Sequence, residues 1–132
     1  MSVSSKDLRS PLSRARGLGS AKEGVQHFWV QRVSAVALVP LTLWFVFSIA
    51  RLATGAADYA AVEYWVSAPS VAVTLVLFLI ATLYHSMLGV QVVVEDYVSG
   101  EGAKLTVLML SKFVHMIAAA AGIFAVLKVA LA

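Results

Sequence analysis

The chain of 132 residues contains no cysteine. That excludes disulfides, thiolate-bound zinc and any iron–sulfur cluster held by its own side chains. It also lacks a dinucleotide-binding glycine motif, a phosphate loop, a carboxylate dyad and a nucleophile set beside a base. A self-contained enzyme is therefore not expected. Charge is scarce: 13% of residues are Asp, Glu, Lys or Arg, against about a quarter in a soluble domain. Apolar residues make up 61%, and they come in long runs.

Between Glu63 and Glu95 lie 31 residues without a formal charge, and between Arg32 and Arg51 lie 18 more. A helix needs roughly 20 apolar residues to cross a bilayer. The chain reads as an all-α integral membrane protein with three spans, over about residues 33–52, 69–94 and 107–131. Pro40 falls inside the first span, where a kink or a local break in hydrogen bonding is expected. The segment from Ala53 to Glu63 reads as a loop, and Tyr59, Tyr64 and Trp65 as an interfacial aromatic belt. The segment from Glu95 to Lys104 reads as a second, polar loop. Lys112 interrupts the third apolar run and blurs its start between Leu105 and Phe113. A snorkelling lysine favours Phe113 as the hydrocarbon boundary.

Residues 1–26 are polar, basic and without an apolar segment near their start, so they read as a cytoplasmic extension rather than a secretory signal. The anchor domain then covers residues 27–132. Six of the ten basic residues, Lys6, Arg9, Arg14, Arg16, Lys22 and Arg32, precede the first span. Lys104 and Lys112 fall on the same side, Arg51 and Lys128 on the other. Basic flanks stay cytoplasmic, which puts the N-terminus inside the cell and the C-terminus outside. The same cluster is a poor nucleic-acid surface, so no nucleic-acid partner is expected.

The residue that most asks for a role is His85, set within LVLFLIATLYHSMLGVQVVV (residues 75–94). A polar ionisable group in hydrocarbon is costly and marks a functional site by default. A neutral imidazole carries a metal-binding nitrogen and no charge. This points to a haem-iron ligand. The competing reading is a histidine that only hydrogen-bonds a neighbouring span. Counting about 1.5 Å per residue, His85 lies about 15 Å from Glu95, near mid-bilayer. Gly89 leaves a gap one turn further on the same face. Asp96, eleven residues on, returns to that face, and Tyr97 adjoins it. At the start of the first span His27, Phe28, Trp29, Gln31 and Arg32 form a polar and aromatic group. Arg32 is placed to meet an anion such as a haem propionate or Asp96. His115 is a second candidate ligand if the third span starts early, and an interfacial polar contact if it starts at Phe113; Lys112, one turn away, favours the latter.

With these residues in view the chain resembles the hydrophobic membrane anchors, of alphaproteobacterial type, of succinate dehydrogenase (respiratory complex II). The likeness runs from about Arg14 onward. Its most specific part is HSMLGVQVVVEDYV, from His85 to Val98, which is similar to the family pattern of a histidine, a glycine one turn later and a D-Y-V tripeptide closing the helix. The second part is HFWVQRVSAVALVPL, from His27 to Leu41.

The resemblance implies a three-helix anchor forming half of a heterodimeric bundle. It implies that His85 is one axial ligand of haem b, with the second from the partner anchor, cytochrome b556. It implies that Tyr97 hydrogen-bonds ubiquinone, that Asp96 tunes that site and that Arg32 lies near the haem propionates. FAD and iron–sulfur clusters would belong to the soluble partners, the flavoprotein and the iron–sulfur protein. The expected location is the bacterial inner membrane, in the respiratory electron transport and tricarboxylic acid cycle machinery. The alternatives are a non-redox scaffolding protein and an anchor of a quinol:fumarate reductase.

Overall fold

The computed structural model describes residues 21–55 and 58–132, and every element among them is a helix. Most of the expected cytoplasmic extension, residues 1–20, lies outside the described residues. In chain order the helices are α1 (Ala21–Thr54), α2 (Tyr59–Ser67), α3 (Pro69–Tyr97) and α4 (Glu101–Ala130). The chain divides into two compact units, Met1–Val30 and Gln31–Ala132. The described part of the first is the opening of α1, where the rings of Phe28 and Trp29 meet edge to face with centroids 6.2 Å apart. The second unit holds the rest of α1 and the other three helices.

Among the described residues three helices are long and apolar enough to cross a membrane: Val25–Thr54, Pro69–Tyr97 and Glu101–Ala130. At about 1.5 Å per residue each is some 45 Å long and exceeds a 30 Å hydrocarbon layer. α1 continues through Pro40 without a break in the helix. The proline removes only the N–H that Val36 C=O would otherwise accept.

Local chemistry sets the other boundaries. Asp58 caps α2, its Oδ1 accepting the Ala61 N–H at 2.9 Å. The stretch expected as a loop therefore ends in a short helix. Ala68 is extended (φ −66°, ψ 122°) and separates α2 from α3. It precedes Pro69, which disfavours helical backbone at the residue before it and is itself pre-set for a first helical position. At the other end of α3 the connection is only Val98–Gly100. Gly100 has φ +101°, a conformation that side-chain-bearing residues rarely adopt. The third long helix then starts at Glu101, so the polar loop expected from Glu95 to Lys104 shrinks to those three residues.

Few of the described side chains are buried, Val66, Ala72, Leu88 and Val94 among them, while many large apolar residues such as Phe47, Phe113, Ile117 and Phe124 are exposed. Such a surface needs lipid or partner helices to cover it. α3 and α4 pack antiparallel and close. A Cβ added at Gly122 would lie 2.5 Å from Leu79 Cδ2, so the missing side chain permits the approach, as small residues do between membrane helices. α1 is held by larger groups. Phe45 stacks on Phe78 of α3 at 4.9 Å, and Trp44 on Trp65 of α2 at 6.0 Å.

Candidate functional site

His85 sits on α3 facing α1. Its Nδ1 lies 2.9 Å from Ser34 Oγ, and that same hydroxyl donates to Gln31 C=O at 2.9 Å. A serine has one proton. If it went to His85, the contact with Gln31 would have none. Both contacts are satisfied only when Ser34 donates to Gln31 and accepts from His85 Nδ1–H. The neutral ring then carries its lone pair on Nε2, the nitrogen suited to bind a metal. His85 also lines an open groove of about 390 Å³ with Ala35, Leu38, Val39, Thr42 and Leu43. A Cβ built on Gly89, one turn further along α3, meets nothing within 4 Å. The space that the sequence suggests beside the helix is there.

His115 differs. Its Nδ1 lies 2.8 Å from Ser111 C=O and must donate to it. Its Nε2 lies 3.2 Å from Ser86 Oγ on α3 and accepts that hydroxyl. Both ring nitrogens are engaged within the chain. The contact with Ser86 also sets the level of His115 along α3, beside the residue that follows His85. Lys112 is exposed while His115, three residues on, belongs to the half-buried stripe facing α3.

Asp96 and Tyr97 close α3, and both are exposed, Tyr97 at 84%. Eleven residues separate Asp96 from His85, about 16 Å along the helix. This corner is tied down by two bonds that the sequence does not announce. Lys104 Nζ donates to Glu95 C=O at 3.1 Å, and Gln91 Nε2 donates to Glu95 Oε1 at 2.8 Å. A cation at the carbonyl end of a helix is favourable, and here it also anchors that end to α4.

Arg32 is exposed and lies two residues before Ser34, so about 3 Å from it along α1. With Ser34 level with His85, Arg32 falls within a turn of the His85 level and roughly 13 Å short of Asp96 along the axis. His27, in the first unit, has a buried Nε2 without a hydrogen-bond partner among the described residues. Among the described residues no three His, Asp or Glu side chains gather into a metal cage. A metal on His85 would therefore draw its other ligands from a prosthetic group or a partner chain.

Comparison with known proteins agrees with this architecture. Residues 6–126 match the family described as succinate dehydrogenase/fumarate reductase transmembrane subunit. The chain is 34% identical over 120 residues to the succinate dehydrogenase hydrophobic membrane anchor subunit of Rickettsia bellii, covering 91% of this chain and 94% of the relative. It is 34% identical over 122 residues to the protein of that name from Paracoccus denitrificans, covering 92% of each. The succinate dehydrogenase membrane anchor subunit of Reclinomonas americana is 26% identical over 95 residues, 70% of this chain and 78% of the relative. No solved structure matches. A histidine lining an open groove in an apolar chain with three long helices, a polar corner where its helix ends, and matches along most of the sequence lead to one assignment: the chain belongs to the succinate dehydrogenase/fumarate reductase transmembrane subunit family, among the hydrophobic membrane anchors of succinate dehydrogenase.

Proposed function

We propose that this anchor supplies one axial ligand of a haem b, His85 Nε2, and part of a ubiquinone-reduction site, Tyr97 and Asp96. It would do so within a succinate:ubiquinone oxidoreductase of the bacterial inner membrane. The observation that carries this reading is the relay from His85 through Ser34 to Gln31. It leaves the lone pair of Nε2 without a hydrogen bond among the described residues, on a ring that lines an open groove, with space beside Gly89. These residues fit a flat iron macrocycle. The iron's other protein ligand would come from the partner anchor, cytochrome b556.

Bound there, a haem supplies one-electron redox chemistry at mid-membrane. The chain's own residues do the rest. Arg32 is placed within a turn of His85 to pair with a propionate. The Tyr97 hydroxyl donates to a quinone carbonyl at the membrane edge. Asp96 beside it holds and passes protons from water, since reducing a quinone consumes two electrons and two protons. The exposure of both residues supports that role. Electrons would arrive from the flavoprotein through the iron–sulfur protein on the cytoplasmic side. The basic residues that precede the first span support a cytoplasmic N-terminus and a periplasmic C-terminus.

The test is a reduced-minus-oxidised spectrum of the purified complex carrying His85→Ala. The haem b band is expected to be lost or strongly altered. A band like that of the unmodified complex would overturn the ligand assignment.

A further inference from the structure

We infer that Ser34 is a positioning residue that sets both the orientation of the His85 ring and the redox preference of the metal it binds. This rests on the ligand reading proposed above. The Ser34 hydroxyl reaches across from α1 to Nδ1 of His85 at 2.9 Å while its own proton is held by Gln31 C=O at 2.9 Å. Three consequences follow from that geometry.

First, the bond selects the tautomer. A ring that donated from Nε2 could not ligate, and Ser34 leaves only Nδ1–H available. Metal-bound histidines are held in this way by an acceptor on their other nitrogen. Second, it fixes the ring plane. His85 reaches the groove from α3, and the acceptor that locks its second torsion stands on α1. Ligand geometry is thereby coupled to the packing of α1 on α3, which the Phe45–Phe78 stack also braces. Third, it tunes the metal. A hydroxyl that donates to a carbonyl becomes a better acceptor. It draws the Nδ1 proton toward itself and pushes electron density onto Nε2. A more basic ligand stabilises ferric over ferrous iron, which lowers the reduction potential.

The test uses the assembled complex and a redox titration of its haem, with Ser34→Ala and the shape-matched pair Ser34→Thr and Ser34→Val. Thr keeps the hydroxyl and Val does not. In the Ala and Val variants the ferric preference is expected to fall about tenfold, a rise of about 59 mV for a one-electron couple. The low-spin ferric paramagnetic resonance signal should broaden or shift as the ring loses its anchor. The Thr variant should stay near the unmodified potential. Loss of haem from the Val variant but not the Thr variant also supports the inference. Equal behaviour of the Thr and Val variants, or unmodified potentials in Ala and Val, overturns it while leaving His85 as ligand. Survival of the unmodified haem spectrum in His85→Ala overturns the ligand reading instead.

Discussion

His115 and Ser86 meet between α4 and α3, the imidazole Nε2 accepting the serine hydroxyl at 3.2 Å. The other ring nitrogen is held by Ser111 C=O. The chain's two mid-helix histidines thus lie at neighbouring levels and do different work. One has both ring nitrogens in hydrogen bonds within the chain, while the other lines the groove and bonds Ser34 through Nδ1.

His115→Ala and Ser86→Ala are therefore predicted to weaken the α3–α4 contact without removing haem. Hydrogen bonds between membrane helices contribute about 0.6 kcal/mol on average, so a small loss of thermal stability is expected. Haem content per complex, measured from the absorbance band, should be unchanged. Loss of haem in His115→Ala with the complex intact would reassign that residue.

Tyr97→Phe removes a hydroxyl from an exposed ring and buries nothing new. Quinone reductase activity is predicted to fall by about 10²-fold, within the range expected when a hydrogen-bonding proton donor is removed. Succinate oxidation with an artificial acceptor that bypasses the membrane site should persist. Parallel loss of both activities would place the defect elsewhere.

The short helix α2 depends on Asp58, whose carboxylate holds the Ala61 N–H. Asp58→Ala is predicted to cost about 1 kcal/mol, read as a lower unfolding temperature of the solubilised complex, with Asp58→Asn close to the unmodified chain. No shift in Asp58→Ala would mean that packing alone, including the Trp44–Trp65 stack, holds α2.

The orientation has its own test. A periplasm-dependent reporter enzyme fused after Ala132 is predicted to be active, and a reporter that matures only in the cytoplasm to be dark. The reverse pattern would invert the arrangement inferred from the basic residues.

Much of the fold is legible in the sequence because apolar length dominates it. The opening of α3 at Pro69 follows from a proline after an extended residue; the polar residues after Val94 mark its close only roughly, since the helix runs on to Tyr97. The polar corner at Asp96 and Tyr97 is visible for the same reason. Single residues mislead when they are read without their faces. Lys112 and His115 share a turn of α4 but not a face: Lys112 is exposed while His115 meets Ser86 of α3. Asp58 looks like a loop residue, though it is the cap of a helix whose aromatic residues read as a belt. Ser34 is not foreseeable at all. Its partner is 51 residues away, and a serine one turn from Gln31 in a membrane helix looks like any other hydroxyl bonding back to its own helix.

The most direct measurement is paramagnetic resonance of the oxidised complex. Iron held by His85 and a partner imidazole is predicted to give a low-spin ferric signal that His85→Ala converts to high-spin or abolishes. An unmodified low-spin signal in that variant would contradict the account.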